Sequence, residues 1–209
     1  FSFGLVEMPG HRMSSRRGRV ITLDEVLDEA LTRAYEEVRK RDGDSSLNEV
    51  KGIAERIGIA SVKYALISVE PIRNVTFTWD RVLDFEKNSA PFINYAYTRA
   101  LGILRKLGRD IPIEVEGEKL IHPLERRILL QIAKFPEEFR NAADNLKPNG
   151  ITNYANRLAE LFHEYYERVN VIGSKVEATR LARAALVKAV SIVLKNAMET
   201  VGIELSEKM

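Results

Sequence analysis

A basic stretch near the start of the chain carries the residue types best suited to phosphate chemistry. The segment PGHRMSSRRGR, residues 9–19, holds four arginines, two serines and one histidine on a predicted loop. Clustered cations and hydroxyls on such a loop can close over a polyphosphate and neutralise charge that develops in a transition state. A solvated arginine-rich turn or a non-specific nucleic-acid patch explains the same charge equally well. The composition of the loop therefore leaves both interpretations open.

A second set of residues, in the middle of the chain, is suited to RNA recognition. Tyr95 and Arg99 are four residues apart in a segment with a helical pattern, and this spacing puts them on one helix face. A tyrosine ring stacks on unpaired bases, and a neighbouring arginine donates to a base edge or a phosphate. Arg105, Lys106 and Arg109 are predicted to continue the positive charge along the same helix. A core role for Tyr95 fits the helix pattern equally well.

Other candidate sites are less specific. The histidines His11, His122 and His163 lie far apart in sequence, and HEYYE at His163 lacks the second histidine of a zinc-protease helix, so no metal site is predicted. Asp80 and Asp84 have a spacing that paired carboxylates use, but a capping or solvated role is favoured. Glycine-rich phosphate loops of the Walker or dinucleotide kind are absent from the sequence. The chain therefore does not look like a self-contained enzyme.

Composition narrows the class of protein. The 209 residues include no cysteine, which excludes a disulfide framework and a thiolate zinc site. No apolar stretch approaches the roughly 18 residues of a membrane span, and no secretory signal is visible, so a cytoplasmic location without membrane contact is predicted. The net charge is only +2. Because the chain as a whole is no polycation, any nucleic-acid contact must come from local patches.

The hydrophobic periodicity predicts a mainly α chain. Thr22 and Glu25 are expected to form a capping box at the start of the first helix. Helices are predicted over about 23–42, 47–68, 80–85, 88–107, 122–135, 135–146, 151–169 and 176–201. A break near Gly58 is left open, residues 74–79 are expected to be extended, and residues 108–123 are expected to form a loop. The last helix is predicted to bury a stripe of Leu181, Leu186, Val190, Val193, Leu194, Ala197 and Val201.

Residues 12–18, RMSSRRG, resemble the lysine-methionine-serine-lysine-serine loop of class I aminoacyl-tRNA synthetases. Arg12 stands at the first lysine position, Met13 and Ser14 match, and Ser15 replaces the second lysine. Two further segments, VITLDEVLDEA and WDRVLDFEKNSAPFINYAYTRALGILRK, resemble arginyl-tRNA synthetase. Its hallmark positions are matched by Asp80, Phe85, Asn88, Pro91, Tyr95 and Arg99.

The end of the chain, RAALVKAVSIVLKNAMETVGIELSEKM, resembles the last helix and terminal methionine of the same family. The resemblance is collinear over essentially the whole chain. It implies a helical-bundle anticodon-binding domain over 88–209, linking and stem-contact helices over 23–87, and the end of a Rossmann-type catalytic domain over 1–22. The chain starts without methionine and lacks the family's histidine-rich ATP signature and arginine pocket. It is therefore expected to be the C-terminal part of an arginine–tRNA ligase and inactive alone.

The resemblance also implies roles for particular residues. It assigns the catalytic loop that stabilises ATP phosphates to Arg12, Met13, Ser14, Ser15, Arg16 and Arg17. Because Ser15 departs from the pattern, one of the arginines or a residue elsewhere in the full enzyme must supply the missing charge. It assigns tRNA binding to Tyr95, Arg99, Asn94 and Met209.

The expected partners follow from the same resemblance. They are arginine tRNA for this chain, with arginine, ATP and Mg²⁺ for the full-length enzyme, and the fragment is expected to bind no cofactor firmly and to be a monomer. The alternative is a non-catalytic helical module that docks RNA or protein and uses the basic loop as a phosphate-binding patch.

Overall fold

A computed structural model describes residues 3–9, 21–41 and 46–209 of the chain. Within these residues the α-helices are α1 (Leu23–Arg41), α2 (Leu47–Ile67), α3 (Trp79–Val82), α4 (Ala90–Leu107), α5 (Pro123–Ala133), α6 (Phe135–Asp144), α7 (Asn149–Arg168) and α8 (Glu177–Thr200). Two short strands, β1 (Val6–Glu7) and β2 (Val75–Thr76), pair in parallel. The predicted mainly α fold is confirmed. No helix of the described ranges is long and apolar enough to cross a bilayer.

Side-chain caps begin the first two helices. Thr22 and Glu25 form the predicted capping box: the Thr22 amide donates to the Glu25 carboxylate over 2.8 Å, and the Glu25 amide donates to the Thr22 hydroxyl over 3.2 Å. Ser46 and Glu49 make the same reciprocal pair at the start of α2. Each box satisfies two backbone donors that a helix start leaves without intrahelical partners.

Helices α1 and α2 pack closely as an antiparallel pair, and α2 runs through Gly58 without a break. A Cβ atom built on Gly58 would lie 3.0 Å from the carbonyl oxygen of Ala30. Glycine at this position therefore reflects a close backbone approach between the two helices rather than a helix end. The apolar side chains between them include Ala34, Val38, Val50, Ile53 and Ile57.

The segment between α2 and α4 differs from its predicted form. Part of the extended piece predicted over 74–79 becomes β2, where the Val75 amide donates to the Leu5 carbonyl over 2.8 Å. The helix predicted over 80–85 is wrong in extent, since α3 ends at Val82. The Asp84 carboxylate instead accepts the amides of Glu86 and Lys87, at 2.7 and 3.3 Å, and closes a turn. Asp84 therefore has a local structural role, but it closes a turn and does not cap a helix, since the N-cap of the next helix is Ser89.

Helix α4 starts two residues later than predicted. Asn88 has a φ of 44°, in the left-handed region, so it cannot continue a right-handed helix. Ser89 is the N-cap, and its hydroxyl accepts the Phe92 amide over 3.1 Å.

At its other end, α4 stops at Gly108, whose φ of 68° is the left-handed conformation typical of a helix C-cap. Arg109 lies beyond this cap and pairs with Glu177 over 2.8 Å. The prediction that Arg109 continues the positive charge of α4 is therefore wrong, while Arg105 and Lys106 do occupy the last turn of the helix.

Helices α4 to α8 enclose the main core. Its largest fully buried side chains include Ile93, Ile128, Ile151, Leu158, Phe162, Tyr165, Leu194 and Met198. The predicted stripe of α8 faces this core: Leu186, Val190, Leu194 and Ala197 are buried, and Leu181, Val193 and Val201 are partly buried. Burying side chains of this size stabilises the fold by about 1.5–3 kcal/mol each relative to exposure.

A buried ion pair joins α5 to α8. The Glu125 carboxylate is fully buried and accepts three hydrogen bonds, from the His122 amide (2.8 Å), Arg183 Nε (2.8 Å) and the Tyr165 hydroxyl (3.3 Å). Burial raises the pKa of the Tyr165 phenol, and the Glu125 charge raises it further, so the phenol remains a donor at neutral pH. This network gives the buried carboxylate the partners that it needs away from water.

We expect Arg183→Met to destabilise the chain by about 3 kcal/mol, because it leaves Glu125 buried without its counter-charge. Urea denaturation measures the change. The matched control is Arg127→Met, which removes the solvent-exposed pair between Arg127 and Glu164 and should cost less than about 1 kcal/mol. Equal losses in the two variants would contradict the role given to Glu125.

Candidate nucleic-acid interface

The predicted ATP-phosphate loop lies outside the described residues. This applies to all six of its assigned members, Arg12, Met13, Ser14, Ser15, Arg16 and Arg17. Their roles stay predictions.

The predicted tRNA-binding residues Tyr95 and Arg99 lie together on α4 and meet two residues of α7, His163 and Tyr166. We call these four residues the Arg99 cluster. The Arg99 guanidinium carbon lies 4.0 Å from the Tyr95 ring centre and 4.5 Å from that of Tyr166, so the cation contacts both rings. Arg99 Nη2 donates to the Tyr95 hydroxyl over 2.9 Å, and Nη1 lies 3.1 Å from His163 Nδ1.

His163 is the buried member of the cluster. The residue is 9% exposed, and its ring tilts against Phe92 and Tyr95 and places Nε2 3.2 Å from the Phe92 carbonyl oxygen. Burial lowers the pKa of His163, and the Arg99 charge lowers it too. The bond to the Phe92 carbonyl and the charge of Glu167 act in the opposite direction without reversing the shift. The ring is therefore neutral at physiological pH.

Exposure distinguishes the two tyrosines of the cluster. Tyr95 is half-buried, so its ring is neither fully enclosed in the core nor freely exposed. Tyr166 is 39% exposed and offers apolar ring surface to solvent. The stacking role predicted for Tyr95 stays a prediction, and Tyr166 joins it as the more accessible aromatic surface.

A cavity of about 430 Å³ adjoins Tyr166. Lys106 from the last turn of α4 lines one side, and Arg168 and Asn170 from the end of α7 line another. The carboxylate of Glu167 and apolar side chains, Ile103 among them, complete the wall. The cavity thus combines an aromatic ring, two cations and an amide, which are groups that bind an unstacked nucleotide, with one carboxylate.

Asn94 and Met209, also predicted to bind tRNA, contact each other. Asn94 is 4% exposed; its Oδ1 accepts the Ser206 amide over 2.6 Å, and its Nδ2 lies 3.7 Å from the Met209 sulfur. Met209 is partly buried against the apolar cluster of α1, α2 and Phe85. Asn94 therefore anchors the end of the chain, and a tRNA role for either residue stays a prediction.

Sequence reasoning missed His163 and Tyr166 as members of this surface. As a motif, the segment HEYYE indicates only that the second histidine of a zinc-protease helix is missing. Its i, i+3 spacing puts His163 and Tyr166 on one helix face, but this local signal does not show that the face meets Arg99. In the described ranges, no three histidine, aspartate or glutamate side chains come together in a group that would hold a metal ion.

Two family models match the chain. Residues 93–209 match the DALR anticodon binding domain, and residues 1–79 match the catalytic domain of class I tRNA synthetases (R). Among solved structures, the arginyl-tRNA synthetase of Thermus thermophilus superposes with a TM-score of 0.88 at 26% identity, covering 99% of this chain and 35% of that one.

Curated relatives named arginine–tRNA ligase are similar over the whole chain. The protein of Haloarcula marismortui is 39% identical over 99% of this chain, that of Ignicoccus hospitalis 39% over 100%, and that of Korarchaeum cryptofilum 42% over 100%. The matched region is 36%, 33% and 32% of these relatives, respectively. The chain thus spans about a third of the length of the relatives that it matches.

We expect Arg99→Leu to lower the free energy of unfolding by about 1–3 kcal/mol. The substitution removes the donor to His163 Nδ1 and to the Tyr95 hydroxyl, and the buried ring nitrogen loses its partner. Arg105→Leu, on the exposed side of the same helix, is the control and should change stability by less than about 0.5 kcal/mol. Chemical denaturation of both variants measures the difference, and equal stability would show that the cluster contributes nothing to the fold.

Proposed function

Because the chain belongs to the DALR anticodon binding domain family, in the form carried by arginyl-tRNA synthetases, we propose that its Arg99 cluster binds the anticodon loop of arginine tRNA. The observation that carries this proposal is the guanidinium held between a half-buried and an exposed tyrosine ring, beside a cavity with further cations. Bases of an anticodon loop are unpaired, so they can leave their stack and meet such a surface.

The chemistry of the surface suits single-stranded RNA. The Tyr166 ring offers a stacking surface, and such stacking contributes about 1–3 kcal/mol per base. Arg99 uses two of its N–H groups within the cluster among the contacts of the described residues. A guanidinium has five N–H donors, so the others are left for a base edge or a phosphate. At the cavity beside it, Lys106 and Arg168 bring two positive charges against the one carboxylate of Glu167, and Arg168 also pairs with Glu164 over 3.1 Å.

For the whole protein we propose the activity of an arginine–tRNA ligase with arginine, ATP and Mg²⁺ as further reactants. In this assignment residues 1–22 end the catalytic domain, residues 23–87 form the linking and stem-contact helices, and residues 88–209 form the anticodon-binding domain. The loop arginines Arg12, Arg16 and Arg17 would stabilise phosphate charge during formation of the adenylate. A cytoplasmic monomer fits this role.

Substitution of the two tyrosines tests the anticodon role. Tyr166→Ala removes an exposed ring and should weaken binding of arginine tRNA about tenfold or more, with little change in melting temperature. Tyr95→Ala should weaken binding about ten- to hundredfold, but it also disturbs packing, so thermal unfolding must be followed in parallel. Titration of labelled arginine tRNA against each variant gives the dissociation constant.

Tyr35→Ala is the matched control, since Tyr35 is a partly buried tyrosine that packs in the α1–α2 cluster. It should leave tRNA affinity unchanged. If a non-cognate tRNA binds the wild type as well as arginine tRNA does, the chain is a non-specific RNA module. If both Tyr166→Ala and Tyr95→Ala bind as the wild type does, the cluster is not the anticodon site.

The chain alone should show no ATP–pyrophosphate exchange with arginine above background. It spans about a third of its relatives, and only its basic loop is assigned to ATP chemistry. Exchange is measured with radiolabelled pyrophosphate, and a full-length relative such as the Ignicoccus hospitalis enzyme is the positive control. Exchange clearly above background would contradict the division of roles proposed here.

A further inference from the structure

The protonation state of His163 follows from its two hydrogen-bond partners. Its Nε2 faces the carbonyl oxygen of Phe92, which only accepts, so Nε2 carries the proton. Its Nδ1 faces Arg99 Nη1, which only donates, so Nδ1 carries the lone pair. The ring is thus a neutral imidazole. The Phe92 carbonyl of α4 sets its tautomer, and its lone pair accepts a hydrogen bond from Arg99 of the same helix.

Two groups accept hydrogen bonds from Arg99. The Tyr95 hydroxyl accepts from Nη2, but Tyr95 lies on the same helix as Arg99. His163 is the hydrogen-bond partner on α7, the helix that also carries Tyr166. The hydrogen bond that Arg99 donates to His163 therefore holds the guanidinium in place relative to the exposed ring of Tyr166.

We propose, on the basis of the proposed function, that His163 is a positioning residue: its neutral ring holds Arg99 between the rings of Tyr95 and Tyr166, and protonation releases Arg99 and weakens RNA binding. A guanidinium that is already in place loses less conformational freedom when RNA arrives, which raises affinity. A proton on Nδ1 removes the acceptor and sets a second positive charge against Arg99.

The groups around the ring decide the direction of the pH effect. The charged groups that act on it are Arg99 from α4 and Glu167 from α7, and the ring of Tyr95 lies against it. Because folding lowers the pKa of His163 below its usual 6.5, the unfolded chain takes up the proton first. The stability that the cluster provides is therefore complete above that value and is lost as the pH falls through the pKa of the folded state.

Binding of arginine tRNA is measured from about pH 8 down to about pH 5 at constant ionic strength, across the range in which histidine titrates. Wild-type affinity should fall about tenfold over this range, the equivalent of one lost charge-assisted hydrogen bond. His163→Leu should bind about tenfold more weakly than wild type at high pH and show no pH dependence. His163→Asn, whose amide oxygen reaches the position of Nδ1 and does not titrate, should restore binding and remain flat at low pH.

The outcomes separate this proposal from the proposed function. Equal binding by wild type and His163→Leu at every pH, with clear affinity for tRNA, overturns the role of His163 alone. Absence of wild-type binding at any pH contradicts the anticodon role and the RNA effect of His163 together. If a variant fails to fold, the pH profile of the wild type decides. Nitrogen NMR of the three histidines adds a check without substitution, because a proton on Nδ1 of His163 at neutral pH would refute the arrangement.

Discussion

The rest of the structure depends on the packing of α4, because this helix contacts α2, α7 and α8 at once. Its buried residues combine the rings of Phe92 and Tyr97 with small and β-branched side chains, Ala90, Ile93, Ala96, Ala100 and Ile103. Alanines at successive turns let neighbouring helices approach closely, and the facing side chains of α7 and α8 fill the remaining space. Once that face is buried, Tyr95 and Arg99 must lie at the edge where α4 meets α7.

The last residues of the chain connect α4 to the linking helices α1 and α2. The Asn94 amide, buried on α4, fixes the backbone of Ser206, and Met209 then packs against the α1–α2 cluster. An exposed pair between Lys208 and Glu49 supports the contact, and the Lys208 ammonium together with the Ser46 hydroxyl lowers the pKa of the Glu49 carboxyl. Since exposed pairs contribute little, the buried amide and the apolar contact of Met209 matter more at this junction than the ion pair, and they add to the packing of α2 against α4.

In the proposed function, the Arg99 cluster is the surface through which a modestly charged chain binds RNA. With a net charge of only +2, its binding cannot rest on a general positive field. Instead, one guanidinium is placed between aromatic rings and beside a cavity with two further cations. Stacking and directed hydrogen bonds select unpaired bases, whereas diffuse charge attracts any polyanion. Such a surface requires the guanidinium and the rings to be accurately positioned, and the buried His163 contributes to this by its hydrogen bond with Arg99.

The sequence by itself determined the fold class and the family. Helix periodicity, the capping box of Thr22 and the spacing of Tyr95 and Arg99 are local properties, and the resemblance to arginyl-tRNA synthetase is confirmed by the matches along the chain. Local rules failed where the backbone conformation was set by distant contacts or by a left-handed residue, as at Asn88 and at the shortened α3.

Only the tertiary structure decided the composition of the site. His163 and Tyr166 lie more than sixty residues from Arg99, and no pattern along the chain shows which face of α7 will meet α4. The same packing buried the polar side chain of Asn94 and left the aromatic ring of Tyr166 exposed. Both residues lie on amphipathic helices, so periodicity alone does not predict this difference. Helix patterns specify which side chains share a face, but the partner of that face is chosen by the packing of the whole core.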